Sequence, residues 1–220
     1  WRLLLATGET QYADLIERTL FNVVATSPGD DGRSFFYANT LHQRTPGTPA
    51  DPDATSPRAS SSLRAPWFEV SCCPPNLARP FASLAAYVAT ADDDGVQVHQ
   101  YAPSSVRTVL PDGRTVAFDV ATGYPADGEV RVTIAEDAEF TLTLRVPSWA
   151  EGAAVRVHSG GEVTESDAPA GAVAVARAFR AGDIVELSLP IVARATVPHP
   201  MVDAVRGSVV IERGPEVLAL

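Results

Sequence analysis

The spacing of apolar residues changes period once along this chain, near Ala91, and no other feature limits the fold as much. Before that point Tyr12, Leu15, Ile16, Thr19, Leu20 and Val23 recur at helical intervals, and Ser27-Pro28-Gly29 stops the pattern. Leu77, Phe81, Leu84 and Val88 repeat it in a second helix that Asn76 is placed to cap. Beyond Asp92-Asp93-Asp94-Gly95 the period falls to two. Val96–Tyr101, Thr115–Val120, Glu129–Ile134, Phe140–Val146, Ala153–His158, Ala172–Ala178 and Ile184–Leu189 alternate or are β-branched. Turn sequences such as Pro111-Asp112-Gly113 and Ala181-Gly182-Asp183 separate these runs, as in an antiparallel β-sandwich. The expectation is mixed α and β in separate regions, with helices over residues 1–91 and a sandwich, not necessarily complete, over 92–220. Between the helices, Gln43 to Pro66 carries Pro46, Pro49, Pro52, Pro57 and a Ser60-Ser61-Ser62 run, and reads as a long mobile loop.

Charge narrows the partners. Every basic residue is arginine, and the acidic excess gives a formal net charge of −10 with a pI near 4.8. Nucleic acid and anionic membrane are therefore not expected, since phosphate binding needs clustered positive charge. Arginine without lysine, beside abundant alanine, aspartate and glycine, matches a GC-rich coding sequence and says nothing of function. No run of about 18 apolar residues exists to cross a membrane. The first residues, from Trp1 to Gly8, lack a starting methionine and read as the interior of a longer protein.

The only two cysteines, Cys72 and Cys73, are adjacent and sit just before the second helix. Neighbouring α-carbons lie about 3.8 Å apart, less than the roughly 4.4 to 6.8 Å of an ordinary disulfide, so the two thiols are poor partners for each other. Free thiols suit a reducing compartment, and a cytoplasmic location is expected. At the first turn of a helix the unpaired N–H groups and the dipole favour a thiolate, as would a bound metal. A zinc site needs about four ligands, of which adjacent cysteines supply half; His99 and His158 fall in predicted strands, so further ligands must come from elsewhere. The competing reading is that both cysteines are small buried hydrophobes.

Cys72-Cys73-Pro74-Pro75-Asn76, followed by Arg79, resembles the motif of glycoside hydrolase family 127 (GH127), the β-L-arabinofuranosidases. The likeness extends to Tyr12–Arg18 with Asn22, to Gly32–Asn39, to Leu144–Ala150, to Gly182-Asp183 and to Arg213-Gly214-Pro215. It implies the C-terminal helices of an (α/α)6 barrel followed by an antiparallel β-sandwich. It also implies a retaining hydrolase in which Cys72 is nucleophile and zinc ligand and Cys73 a second zinc (Zn2+) ligand. By the same resemblance a glutamate and a third cysteine complete the zinc site, these and the glutamate acid/base lie upstream of Trp1, and residues 1–220 alone are inactive. Glu17 and Tyr37 would bind the sugar's hydroxyls. Glu17 reads equally as a solvated helix residue, and Tyr37 as a core aromatic. The implied partner is a carbohydrate, an arabinofuranoside-containing glycan or glycoconjugate; a homo-oligomer is left open.

Other residues point less firmly. Asn76 reads as a cap rather than a substrate ligand, and Arg79 as structural. His42 stands beside the loop, and His99, His158 and His199 have no metal-ligand spacing. Trp67 and Phe68 could wall a sugar site or pack behind the motif. Asp92-Asp93-Asp94-Gly95 lacks the closing glutamate of a calcium loop and reads as a turn. Pro80, in the first turns of a helix capped by Asn76, would remove at most one hydrogen bond. Phe179 stands where the family pattern leads one to expect tryptophan. Two rival functions remain: a non-catalytic carbohydrate-binding β-sandwich with a helical appendage, and an interdomain support with inert thiols. Neither requires paired thiols before a helix.

Overall fold

The computed structural model describes residues 1–39, 48–58, 63–70 and 72–218. Helix α1 spans Arg2–Thr7 and ends on Gly8, whose φ of 70° lets its N–H return to the Leu4 carbonyl. Helix α2 spans Thr10–Thr19 and runs into a single π turn at Leu20–Val24. The expected helix is present, but its apolar stripe is only partly covered: Tyr12, Ile16 and Leu20 are half-buried and Leu15 and Val23 exposed, whereas Ala13, Glu17 and Asn22 are buried.

Two short strands, β1 (Phe35–Phe36) and β2 (Arg64–Ala65), pair antiparallel, and Ser56 bridges Phe68. A strand therefore lies within the stretch expected to be a mobile loop; residues 43–47 and 59–62 of that stretch lie outside the described residues, as does His42. Helix α3 covers Cys73–Ala82 and begins earlier than the Asn76 cap implied. Pro74 and Pro75 occupy its first turn, where the missing N–H groups have no helical acceptor to lose. Cys72 takes the capping position without a side-chain cap bond, and the Asn76 Oδ1 instead accepts from the Arg79 guanidinium at 2.7 Å. Pro80 thus sits deep in the helix and removes the bond its N–H would have given to the Asn76 carbonyl. The helix stops two residues later, and Ser83 closes it through the Arg79 carbonyl. Leu84–Tyr87 forms a 3-10 turn rather than the expected helical continuation to Val88.

The β region contains β3 (Ala89–Ala91), β4 (Gly95–Val98), β5 (Ser104–Val109), β6 (Thr115–Thr122), β7 (Glu129–Ile134) and β8 (Ala138–Val146). It continues with β9 (Ala154–Ser159), β10 (Glu162–Asp167), β11 (Gly171–Phe179) and β12 (Ile184–Ser188). Three shorter strands follow: β13 (Ala193–Thr196), β14 (Val210–Arg213) and β15 (Glu216–Leu218). One sheet has the order β10-β9-β12-β7-β6-β5, the other β11-β8-β4-β3. Pairing is antiparallel as expected, except that β4 runs parallel to β8, with Gly95 opposite Thr141. The core comes from the alternating residues: Val116, Phe118, Val120, Val130, Val132, Ile134, Val185 and Leu187 from one sheet, Val96, Val98, Phe140, Leu142, Leu144, Val146 and Phe179 from the other. Each such side chain contributes roughly 1.5–3 kcal/mol on burial. Phe179 packs its ring 4.8 Å from that of Phe140.

Contacts divide the chain into two compact units. The first joins Trp1–Glu17 to Ala85–Arg194 and Ile211–Leu220; the second joins Arg18–Leu84 to Ala195–Val210. The described residues are mostly sheet with few helices, and no (α/α)6 barrel is formed among them. No helix among them is long and apolar enough to cross a membrane.

Candidate active site

The second unit contains a small apolar cluster of Phe35, Ala65 and Phe68, against which Tyr37, Ala50, Cys73 and Leu77 pack. The Phe35 and Phe68 rings stand edge to face at 5.4 Å, and the Tyr37 ring lies tilted over Phe68 at 5.7 Å. α3 starts on this cluster. Successive residues of a helical turn point about 100° apart, so the two thiols cannot share one environment: Cys73 is half-buried against the cluster, while Cys72 is exposed. Only Cys73 therefore suits the buried-hydrophobe reading. Its thiol donates to the Tyr37 carbonyl at 3.8 Å, and burial, then the neighbouring Cys72 thiol, push its pKa up.

The two Sγ atoms are 3.9 Å apart, and neither cysteine is in a disulfide. Two thiolates on one tetrahedral zinc, with Zn–S near 2.3 Å, would be about 3.8 Å apart. The pair thus has the spacing of one edge of such a site. Among the described residues no group of three or more His, Cys, Asp or Glu could hold a metal ion.

Tyr37 stands beside Cys73, as the preceding contacts show. Glu17 belongs to the first unit, where it is 2% exposed and bonded on both oxygens. Its Oε1 accepts from the Tyr124 hydroxyl at 2.5 Å and from Arg145 Nη2 at 2.5 Å, and Oε2 receives Arg145 Nη1 at 3.4 Å. Arg145 also reaches Asp14 Oδ1 at 2.6 Å and the His99 carbonyl at 2.5 Å. Asp14, Tyr124 and Arg145 were not singled out from the sequence. The one hint was that Tyr12–Arg18 and Leu144–Ala150, both family-like, hold opposite charges; a strand arginine otherwise reads as solvent-facing.

The remaining candidates are accounted for locally. Phe68 is core, and Trp67 is half-exposed with its ring edge to face with Phe35 at 6.5 Å. His99 Nε2 lies 2.8 Å from the Thr90 hydroxyl, and His158 Nε2 lies 2.8 Å from Glu186. The His199 Nδ1 accepts the Met201 N–H at 3.2 Å. Asp92 Oδ1 accepts the N–H groups of Asp94 and Gly95, which makes that acidic run a turn.

Residues 1–86 match the family model described as "Beta-L-arabinofuranosidase, GH127 catalytic domain", and residues 95–191 the one described as the GH127 middle domain. The chain belongs to the GH127 family. It is 34% identical over 149 residues, 64% of its length, to a non-reducing end β-L-arabinofuranosidase of Bifidobacterium longum subsp. longum. Among solved structures it resembles one titled "Glycoside hydrolase" (TM-score 0.83, 32% identity, 99% of this chain). It also resembles a GH127 β-L-arabinofuranosidase from Geobacillus stearothermophilus T6 (TM-score 0.82, 36% identity, 98% of this chain). The chain spans 21% of the Bifidobacterium protein and 35% and 34% of the two solved chains.

Proposed function

We propose that this chain is part of a retaining glycoside hydrolase, a β-L-arabinofuranosidase, in which the Cys72 sulfur is the nucleophile and Cys72 and Cys73 hold zinc. The observation that carries the reading is the exposed Cys72 thiol at the start of α3, 3.9 Å from the Cys73 sulfur. The segment lies within the residues that match the family's catalytic domain. Zinc bound there would keep the sulfurs deprotonated at neutral pH and soften their nucleophilicity. In the first step the Cys72 sulfur bonds to the anomeric carbon as the glycosidic C–O bond breaks, and the leaving oxygen takes a proton from an acid outside this chain. In the second, water replaces the sulfur at that carbon, and the same group, now a base, removes the water's proton. Two inversions leave the anomeric configuration unchanged.

Tyr37 and Glu17 are assigned to the sugar's hydroxyls. Tyr37 is supported by its place beside Cys73. Glu17 would use Oε2, the oxygen with the weaker protein contact. The remaining zinc ligands and the acid/base are assigned to a part of the protein outside this chain, so residues 1–220 by themselves are expected to be inactive. The test uses the full-length protein on a nitrophenyl β-L-arabinofuranoside, with metal analysis and NMR of the first-formed anomer. One zinc per chain, retention, and a loss of at least about 10³-fold in kcat for Cys72→Ser are expected. A metal-free enzyme that loses no activity in Cys72→Ser refutes it.

A further inference from the structure

α2 buries Ala13 and Glu17, and a single cation of the sandwich meets both of the helix's acids. Asp14 and Glu17 lie one turn apart, and both carboxylates meet the guanidinium of Arg145, which is 1% exposed on β8. The guanidinium is used from three sides: Nε on the His99 carbonyl, Nη1 on Asp14, Nη2 on Glu17. Asp14 Oδ2 also accepts the Ser148 N–H at 3.0 Å, and Gln100 donates to the Ala13 carbonyl at 3.0 Å, so α2 is pinned at successive points. Tyr101 donates its hydroxyl to the carbonyl of Arg145 itself and faces the guanidinium with its ring at 5.7 Å. A planar fork with five donors can satisfy three acceptors at once; a lysine ammonium cannot reproduce that plane. With Tyr124 and Nη2 both on Oε1, the Glu17 carboxylate has its torsion fixed and Oε2 is left as the oxygen with acceptor capacity to spare.

We propose that Arg145, a residue of the sandwich, is a positioning residue for the hydrolytic reaction: it fixes the Glu17 carboxylate for a sugar hydroxyl. This rests on the assignment of Glu17 to the sugar made above. Misplacing such a ligand by about 1 Å can cost on the order of 10²-fold.

The test compares full-length wild type, Arg145→Lys, Glu17→Gln and the double variant on a nitrophenyl β-L-arabinofuranoside. Arg145→Lys is expected to raise KM about tenfold with zinc content unchanged, and Glu17→Gln to do the same. The double variant should be no worse than the poorer single, because both changes remove one interaction. Where Arg145→Lys does not fold, Tyr124→Phe, which removes the second donor to Oε1, carries the same comparison. A wild-type KM in the single variants, or a double variant whose losses multiply to about a hundredfold, overturns the inference and leaves the glycosidase reading standing. A wild type that cleaves no β-L-arabinofuranoside sinks both.

Discussion

Removing the Glu17 side chain should loosen the junction of α2 and β8 far more than an ordinary helix substitution. In Glu17→Ala, Arg145 keeps Asp14 and the His99 carbonyl but loses its Nη2 acceptor, and the Tyr124 hydroxyl loses the carboxylate it donates to. Breaking a buried ion pair by deleting one partner costs about 3–5 kcal/mol, and the surviving Asp14 places this case at the lower end. Loss of the carboxylate acceptor at the Tyr124 hydroxyl adds at most about 1–3 kcal/mol. Since the two losses share one carboxylate they do not add fully, and about 4–5 kcal/mol is expected. Glu17→Gln keeps the volume and one acceptor, and should cost about half as much. The pair Glu17→Leu with Arg145→Met removes both charges and should recover most of the loss, because well-packed apolar groups can replace a buried ion pair at little cost. Hydrogen exchange on the full-length protein reads this locally. Peptides over 10–19 and 138–146 should lose protection by on the order of 10³-fold in Glu17→Ala and regain most of it in the apolar pair. Protection within tenfold of wild type in Glu17→Ala would refute the reasoning, since Glu17 would then not be what holds the buried guanidinium.

Two further outcomes follow from the sandwich. His99 has its pKa lowered to about 4, by burial first and then by the Arg145 charge. The unfolded chain takes up a proton below about pH 6.5 and the native one does not until about 4, so stability is full above pH 6.5 and falls as the pH drops toward 4, by up to about 3 kcal/mol. His99→Gln should flatten the fall in melting temperature between pH 7 and pH 5; an identical fall in the variant refutes this. At Gly95, an added Cβ would stand 2.0 Å from the Thr141 carbonyl oxygen and 2.7 Å from its nitrogen, both backbone atoms of the strand paired in parallel with β4. Gly95→Ala should cost about 3 kcal/mol or more. Unchanged melting would show that the strands can separate at no cost.

The sandwich was legible because its strands alternate. Glu129–Ile134 is matched residue for residue, and Thr115, Phe140, Ala172 and Ile184 all fall in strands, since burying one face of a sheet requires a period of two. β10 was missed for the complementary reason: every residue of Glu162–Asp167 is exposed, so no apolar signal marks it, and it exists by pairing with β9. Two helices, α2 and α3, were found with their limits misjudged, and the six-residue α1 was not expected. A Pro-Pro pair marks a first turn more firmly than a later asparagine marks a cap, because proline is tolerated there and little further on. The apolar spacing that reached Val88 did not prolong the helix, because its backbone turns into β3 two residues after Tyr87.

The candidate site divides along a similar line. Cys72, Cys73 and Tyr37 lie together because local covalent geometry holds the first two side by side and a compact cluster holds the third beside them. Glu17 could not be judged in the same way. Amphipathic spacing assumes that a helix buries apolar residues, yet α2 buries Glu17 against an arginine 128 positions further along the chain. A charge that distant leaves no period in the sequence, and its partner on a strand has the pattern of a surface residue. The burial of Glu17 thus has its cause in the sandwich: β8 supplies a buried cation, and nothing in the spacing of α2 announces it.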